Sequence, residues 1–203
     1  MASLFGGPTQ AEIWSQLAEQ LKGEFDKGGW FRKKMVRARS GNWEIVLDNY
    51  VVSTGNSIQV FTRLRAPFLN KSGIRFKIYR EGFFQRLGKK FGMQDLEIGL
   101  KAFDEAFVIQ GTSRNDIRKI LDDKRIVELI EAQPKINFQI RDKEPNVFRN
   151  PYPDGVDLLY FERHGVVKDL EQLRNLFVLF ALVLERMVEA GLAYPGDPNV
   201  EIK

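Results

Sequence analysis

Residues 57–65 read SIQVFTRLR. Ile58, Val60, Thr62 and Leu64 alternate with Gln59, Phe61, Arg63 and Arg65, and a period of two places one set on each face of a β-strand. The pattern returns in GIRFKIYR, residues 73–80, where Ile74, Phe76 and Ile78 alternate with Arg75, Lys77 and Tyr79. Turn chemistry at Ser40-Gly41-Asn42, Gly55-Asn56, Ala66-Pro67 and Ser72-Gly73 divides the region into strands at 32–39, 43–53, 57–65 and 73–80. The connections are short enough for an antiparallel meander. One face of such a sheet is buried and the other is cationic.

Helical spacing flanks this stretch. Thr9 and Glu12 have the spacing of a capping box, and Ile13, Trp14, Leu17, Leu21 and Phe25 continue a 3.6-residue period, so a helix is expected over 10–26. Phe103 to Gln110 reads as a strand. Ser113 and Asp116 then open a helical pattern that Asp122-Asp123 divides in two. Strands follow at 136–141 and from Val156 to His164, separated by a Pro- and Asn-rich stretch, 143–155, expected to be a flexible loop. Asp169 caps a helix to about Ala190, and 193–203 reads as an extended tail.

The order of elements predicts a single α+β domain over 1–203. It is a largely antiparallel sheet of six to eight strands, with the N- and C-terminal helices packed on one face. A helix-grip-like topology is favoured, leaving a cavity between the last helix and the sheet; the competing outcome is a fully packed core.

Of 203 residues, 43% are hydrophobic and 29% charged, with a net charge of +4 and no cysteine. Disulfides, thiolate nucleophiles and Cys-bound metals are thereby excluded. The longest apolar run, Phe177 to Leu184, is far short of the roughly 20 residues that span a bilayer. The N-terminus lacks the pattern of a signal peptide, and a cytoplasmic location is expected. Residues 1–90 carry 16 Lys+Arg against 7 Asp+Glu, while 91–203 carry 15 against 20. An anionic partner is therefore expected on the N-terminal half.

Motifs for catalysis are missing. His164 is the sole histidine, so a multi-histidine metal site is ruled out and any Ser-His-Asp triad must use it, yet no G-x-S-x-G accompanies it. Neither phosphate-loop pattern is present. The pairs Asp104-Glu105 and Asp122-Asp123 read as the exposed start of a strand and a helix cap, and Asp154 with Asp157 lacks a calcium-loop spacing. No catalytic residue, metal ligand or cofactor is assigned, and the chain reads as a binding module rather than an enzyme.

The stretches FTRLRAPF, IYREGFFQRLGKKFGMQDLEIG and FDEAFVIQG resemble an uncharacterised group of bacterial domains of unknown function, over about residues 33–190. The resemblance implies a bacterial, stand-alone or membrane-tethered module. It transfers no functional residue.

The binding site expected from the residues themselves is the cationic, aromatic sheet face formed by Lys33, Arg37, Arg39, Phe61, Arg63, Arg65, Arg75, Lys77 and Tyr79; the competing reading, which ordinary surface ion pairing favours, is that these cations simply face water or are covered by the C-terminal half with its acids as partners. Cations neutralise phosphates and rings stack on bases, so the expected partner is a nucleic acid or an acidic protein. Two other contacts are weighed. Phe83, Phe84, Leu87 and Phe91 beside Arg86, Lys89 and Lys90 suit peripheral contact with an anionic membrane, and the apolar run of the last helix suits a homodimer. The alternative function is a small-molecule or lipid-binding domain with an apolar cavity under that helix.

Overall fold

The computed structural model describes residues 7–29, 33–55, 57–80, 94–142 and 152–202. The proposed membrane-contact segment 82–92 and residues 143–151 of the expected flexible loop lie outside these. The elements are α1 (Gln10–Gln20), β1 (Glu24–Asp26), β2 (Met35–Ser40), β3 (Trp43–Thr54), β4 (Ser57–Leu69), β5 (Phe76–Arg80), β6 (Gln94–Asp95), α2 (Lys101–Ala106), β7 (Phe107–Gly111), α3 (Arg114–Leu121), α4 (Lys124–Glu131), β8 (Asn137–Arg141), β9 (Val156–His164) and α5 (Leu170–Glu189). The fold is α+β. Its open sheet runs β1-β2-β3-β4-β9-β8-β5-β7-β6, antiparallel at every pairing, with the two-residue β6 at one edge.

Local chemistry sets the helix starts. Thr9 and Glu12 close a capping box, and the Thr9 donors hold the Glu12 carboxyl below its usual range. Ser113, Asp123 and Asp169 accept from the first-turn amides of α3, α4 and α5. The first helix is shorter than its apolar period suggests, because β1 takes up residues 24–26. Gly23 makes that switch feasible: a Cβ there would lie 2.2 Å from the Arg37 carbonyl oxygen, so only glycine lets the chain approach β2 so closely.

Three expectations are corrected. Ala66-Pro67 is not a turn, since β4 continues to Leu69. The β3–β4 register ends at Val46↔Arg65, so the missing N–H of Pro67 falls beyond that ladder and breaks no bond in it. The meander therefore stops after β4, and β9 and β8 stand between β4 and β5. Residues 103–110 are not one strand either. α2 forms first, with the Asp104 carboxylate accepting from the amides of Ile98 and Gly99 and the Phe103 and Phe107 rings stacked at 4.5 Å.

All the longer helices feed one core. Leu47, Leu64, Phe68, Phe138, Ile140, Leu159 and Phe161 project from the sheet into a cluster with Trp14 and Leu17 of α1 and the apolar face of α5. The Trp14 indole donates to the Val167 carbonyl. Leu173, Leu176, Leu179, Phe180, Val183, Leu184 and Met187 of α5 are wholly enclosed. The run of eight apolar residues is thus covered from several sides, by the sheet and by α1, α3 and α4. Among the described residues no helix is long and apolar enough to cross a membrane.

Candidate functional site

Because side chains alternate, the strands that bury Leu64 and Phe161 against the helices must present Arg63, Arg65, Tyr160 and Glu162 on the other face. The register aligns them across the sheet: Asp48↔Arg63↔Glu162 and Arg65↔Tyr160↔Gln139↔Lys77. Six strands thus contribute to one helix-free surface when Arg37 of β2 is included.

This surface holds two ionic centres. Asp48, wholly buried, accepts from Arg63 Nε at 2.6 Å and Nη2 at 2.9 Å, and from Arg65 Nη2 at 3.0 Å. One carboxylate thus binds two cations on the adjacent strand in a place from which water is excluded. At the second centre, Glu162 accepts from the hydroxyls of Tyr50 at 2.7 Å and Tyr160 at 3.0 Å, and from Asn137 Nδ2 at 2.8 Å.

Rings and cations surround both centres. The Arg63 guanidinium lies 4.9 Å from the Tyr50 ring centre, Arg141 lies 4.6 Å from that of Tyr160, and Lys77 Nζ is 5.2 Å from that of Tyr79. Tyr50 stacks on Phe61 at 5.2 Å, and His164 meets Phe61 edge-on at 5.4 Å. Burial, reinforced by the charge of Glu162, raises the Tyr50 and Tyr160 hydroxyls above the usual tyrosine range. Burial lowers Lys77, with repulsion from Arg141 adding to it and attraction to Glu162 opposing it.

The nine residues expected at a cationic face are distributed as follows. Arg37, Arg39, Phe61, Arg63, Arg65, Lys77 and Tyr79 occupy the helix-free parity of their strands, while Lys33 precedes β2 and Arg75 precedes β5. Arg63 and Arg65 are buried against Asp48, Arg75 pairs with Asp157, and Arg37 with Glu44 at 2.8 Å. Arg39 is exposed and reaches Asp197 at 3.5 Å; Lys33 is also exposed. Phe61, Lys77 and Tyr79 are half-buried. All five of these arginines thus have carboxylate partners within the fold, so the face is a mixed ionic and aromatic surface. Asp48, Tyr50, Asn137, Arg141, Tyr160 and Glu162 also belong to this face, outside the nine residues expected there. A usable signal existed in two places, a lone acid inside an apolar run: IVLDNYVV and LLYFERH.

The extended tail crosses part of the same face. Ile202 packs with Met35 and Val46, and Val200 with Tyr152, Val156 and Leu158. Between tail and sheet runs a groove of about 300 Å³, lined by Arg39, Glu44, Pro67 and residues 197–201. Among the described residues no cluster of three or more acids and histidines is arranged to hold a metal.

No protein-family model and no curated protein matches the chain, in accord with its resemblance to a group without an assigned activity. The solved structure of the mycobacterial trehalose monomycolate transport factor A, TtfA, is similar with a TM-score of 0.52 and 8% identity, over 88% of this chain and 94% of that one. At that identity the likeness concerns the fold alone.

Two outcomes follow from the two centres. Asp48→Asn leaves two buried guanidiniums without their counter-charge, and urea unfolding should show a loss of about 3–5 kcal/mol. The tyrosines give a pH signature. With Tyr50 and Tyr160 raised in the fold, their contribution is present below the unfolded tyrosine value of about 10 and is lost as pH rises beyond it. Tyrosinate absorbance should thus develop at higher pH in the folded protein than in urea, and stability should fall through the alkaline range.

Proposed function

We propose that the protein is a binding module whose helix-free sheet face receives an anionic partner. The observation that carries this reading is the set of cations on one face of β4, β8 and β5, Arg63, Arg141 and Lys77, placed among the rings of Tyr50, Tyr160 and Tyr79 beside the Asp48 and Glu162 centres. Side chains fixed by cross-strand pairing are preorganised, so a bound anion does not have to order them. Arg141 has its guanidinium over a ring with no carboxylate partner among the described residues, and a planar guanidinium is suited to carboxylate or phosphate oxygens.

The name of the structural neighbour, a trehalose monomycolate transport factor, supports a second reading in which this chain binds a lipid or a sugar-bearing molecule. The side chains beneath α5 are wholly enclosed by their neighbours, which favours the helix-free face over the helix–sheet interior for that ligand too.

Inorganic tripolyphosphate and a labelled oligo-dT are the probes that test the anionic reading. Both should bind in about 50 mM salt and lose affinity at about 200 mM, the oligonucleotide more steeply because it displaces more counterions. Arg141→Glu should weaken tripolyphosphate by roughly tenfold or more, the value of one hydrogen bond to a charged group. No binding of either probe at low salt, or unchanged affinity in the variant, overturns it.

A further inference from the structure

The β3–β4 hairpin extends past both of its neighbours. β2 leaves β3 at Met35↔Asp48, and β9 leaves β4 at Thr62↔Arg163 with one further bridge, Phe61↔Gly165. Beyond those points the outer edge of β3 is free of strand pairing from Asn49 and that of β4 from Gln59, so that Val52↔Gln59 to Thr54↔Ser57 pair only with each other. At about 3.3 Å per residue this two-stranded arm reaches roughly 10 Å beyond its neighbours.

Its composition differs from that of the rest of the chain. Residues 49–62, NYVVSTGNSIQVFT, contain no Asp, Glu, Lys, Arg or His, in a protein that is 29% charged. Val51 is 60% exposed and Ile58 76% exposed, and Val60, opposite Val51, is half-buried on the same side. An isolated two-stranded edge is normally protected by charges or proline. This one has neither.

The base of the arm, by contrast, carries cations. Lys33 and Lys34, both exposed, precede Met35, whose register partner Asp48 is the last residue before the uncharged stretch. On the other side, Gly165 N donates to the Val60 carbonyl and Val167 N to Thr62 Oγ1, which brings exposed Lys168 and the 37%-exposed Val166 alongside β4. Asp48 itself is taken up by Arg63 and Arg65. The nearest following acids, Asp169 and Glu171, belong to the start of α5, where Asp169 caps the helix.

We infer that the β3–β4 arm is a membrane-contact element that places Val51 and Ile58 in the interfacial region of an anionic bilayer while Lys33, Lys34 and Lys168 lie against its headgroups. An uncharged apolar tip above a basic collar matches the polarity profile of such a surface, apolar within and negative at the edge. The open hydrogen-bonding edges of the hairpin limit the depth, because unpaired backbone groups are not tolerated in hydrocarbon. The inference uses residues apart from the Arg141 and Lys77 region and stands or falls independently of the anion-binding reading.

Cosedimentation of the full chain with phosphatidylglycerol-containing vesicles and with pure phosphatidylcholine vesicles tests it. The protein should partition to the former, less so as salt rises. Val51→Ser with Ile58→Ser should reduce partitioning about tenfold or more, and Lys33→Gln with Lys34→Gln on the order of thirtyfold, with unfolding midpoints unchanged because all four side chains are exposed. Lys124→Gln, exposed at the start of α4 on the helical side, should sediment as the wild type does. Absence of sedimentation with anionic vesicles overturns the inference. So does wild-type sedimentation by the Val51/Ile58 variant. Sedimentation velocity supplies a further arm: a dimer that becomes monomeric in that variant, without any vesicle binding, would make the hairpin a contact between two copies of the chain and overturn the membrane assignment.

Discussion

The register of β4 is the constraint on which everything else rests. This strand pairs with β3 on one side and β9 on the other, and its alternation sends Leu64, Ala66 and Phe68 toward the helices and Phe61, Arg63 and Arg65 away from them. A slip of one residue would drive two arginines into the apolar core and expose Leu64 and Phe68. Asp48 counters such a slip, since its two oxygens meet Arg63 and Arg65 together in one register only. A buried ionic centre costs desolvation, and one of its best-attested uses is fixing register.

From that register the two faces acquire different roles. The helix-covered face closes a continuous core through α1 and α5, with little polar content. The opposite face gathers what the core excludes, with the acids Asp48 and Glu162 set among arginines, Lys77 and several tyrosines held by pairs within and between strands. Since most of its members are held by neighbours on the same or an adjacent strand, the surface is ordered without help from the helices. The hairpin that carries Asp48 and Arg63 at its root also carries the uncharged arm at its tip, so the anchored and the projecting parts of the molecule share two strands.

Much of this was legible in local sequence. The period of two in 57–65 and 73–80 assigned Arg63, Arg65 and Lys77 to one face, and Thr9, Ser113, Asp123 and Asp169 marked the helix starts, because capping and alternation depend on residues a few positions apart. Strand order was not legible. The placement of β9 and β8 between β4 and β5 depends on contacts nearly a hundred residues distant, and Pro67 suggested a turn where the ladder merely ends on one side. The site was half legible for the same reason. Cations announced themselves by number, whereas Asp48 and Glu162 gain their significance from partners on other strands.

The central claim, that the helix-free face is where a ligand meets this fold, is tested most directly by amide chemical-shift mapping during titration with tripolyphosphate at low salt. The account predicts changes concentrated at Tyr50, Arg63, Lys77, Arg141 and Glu162 and their strand neighbours, with the outer surfaces of α1, α3 and α4 unmoved. Changes confined to the helical side, or none at millimolar ligand, would contradict it.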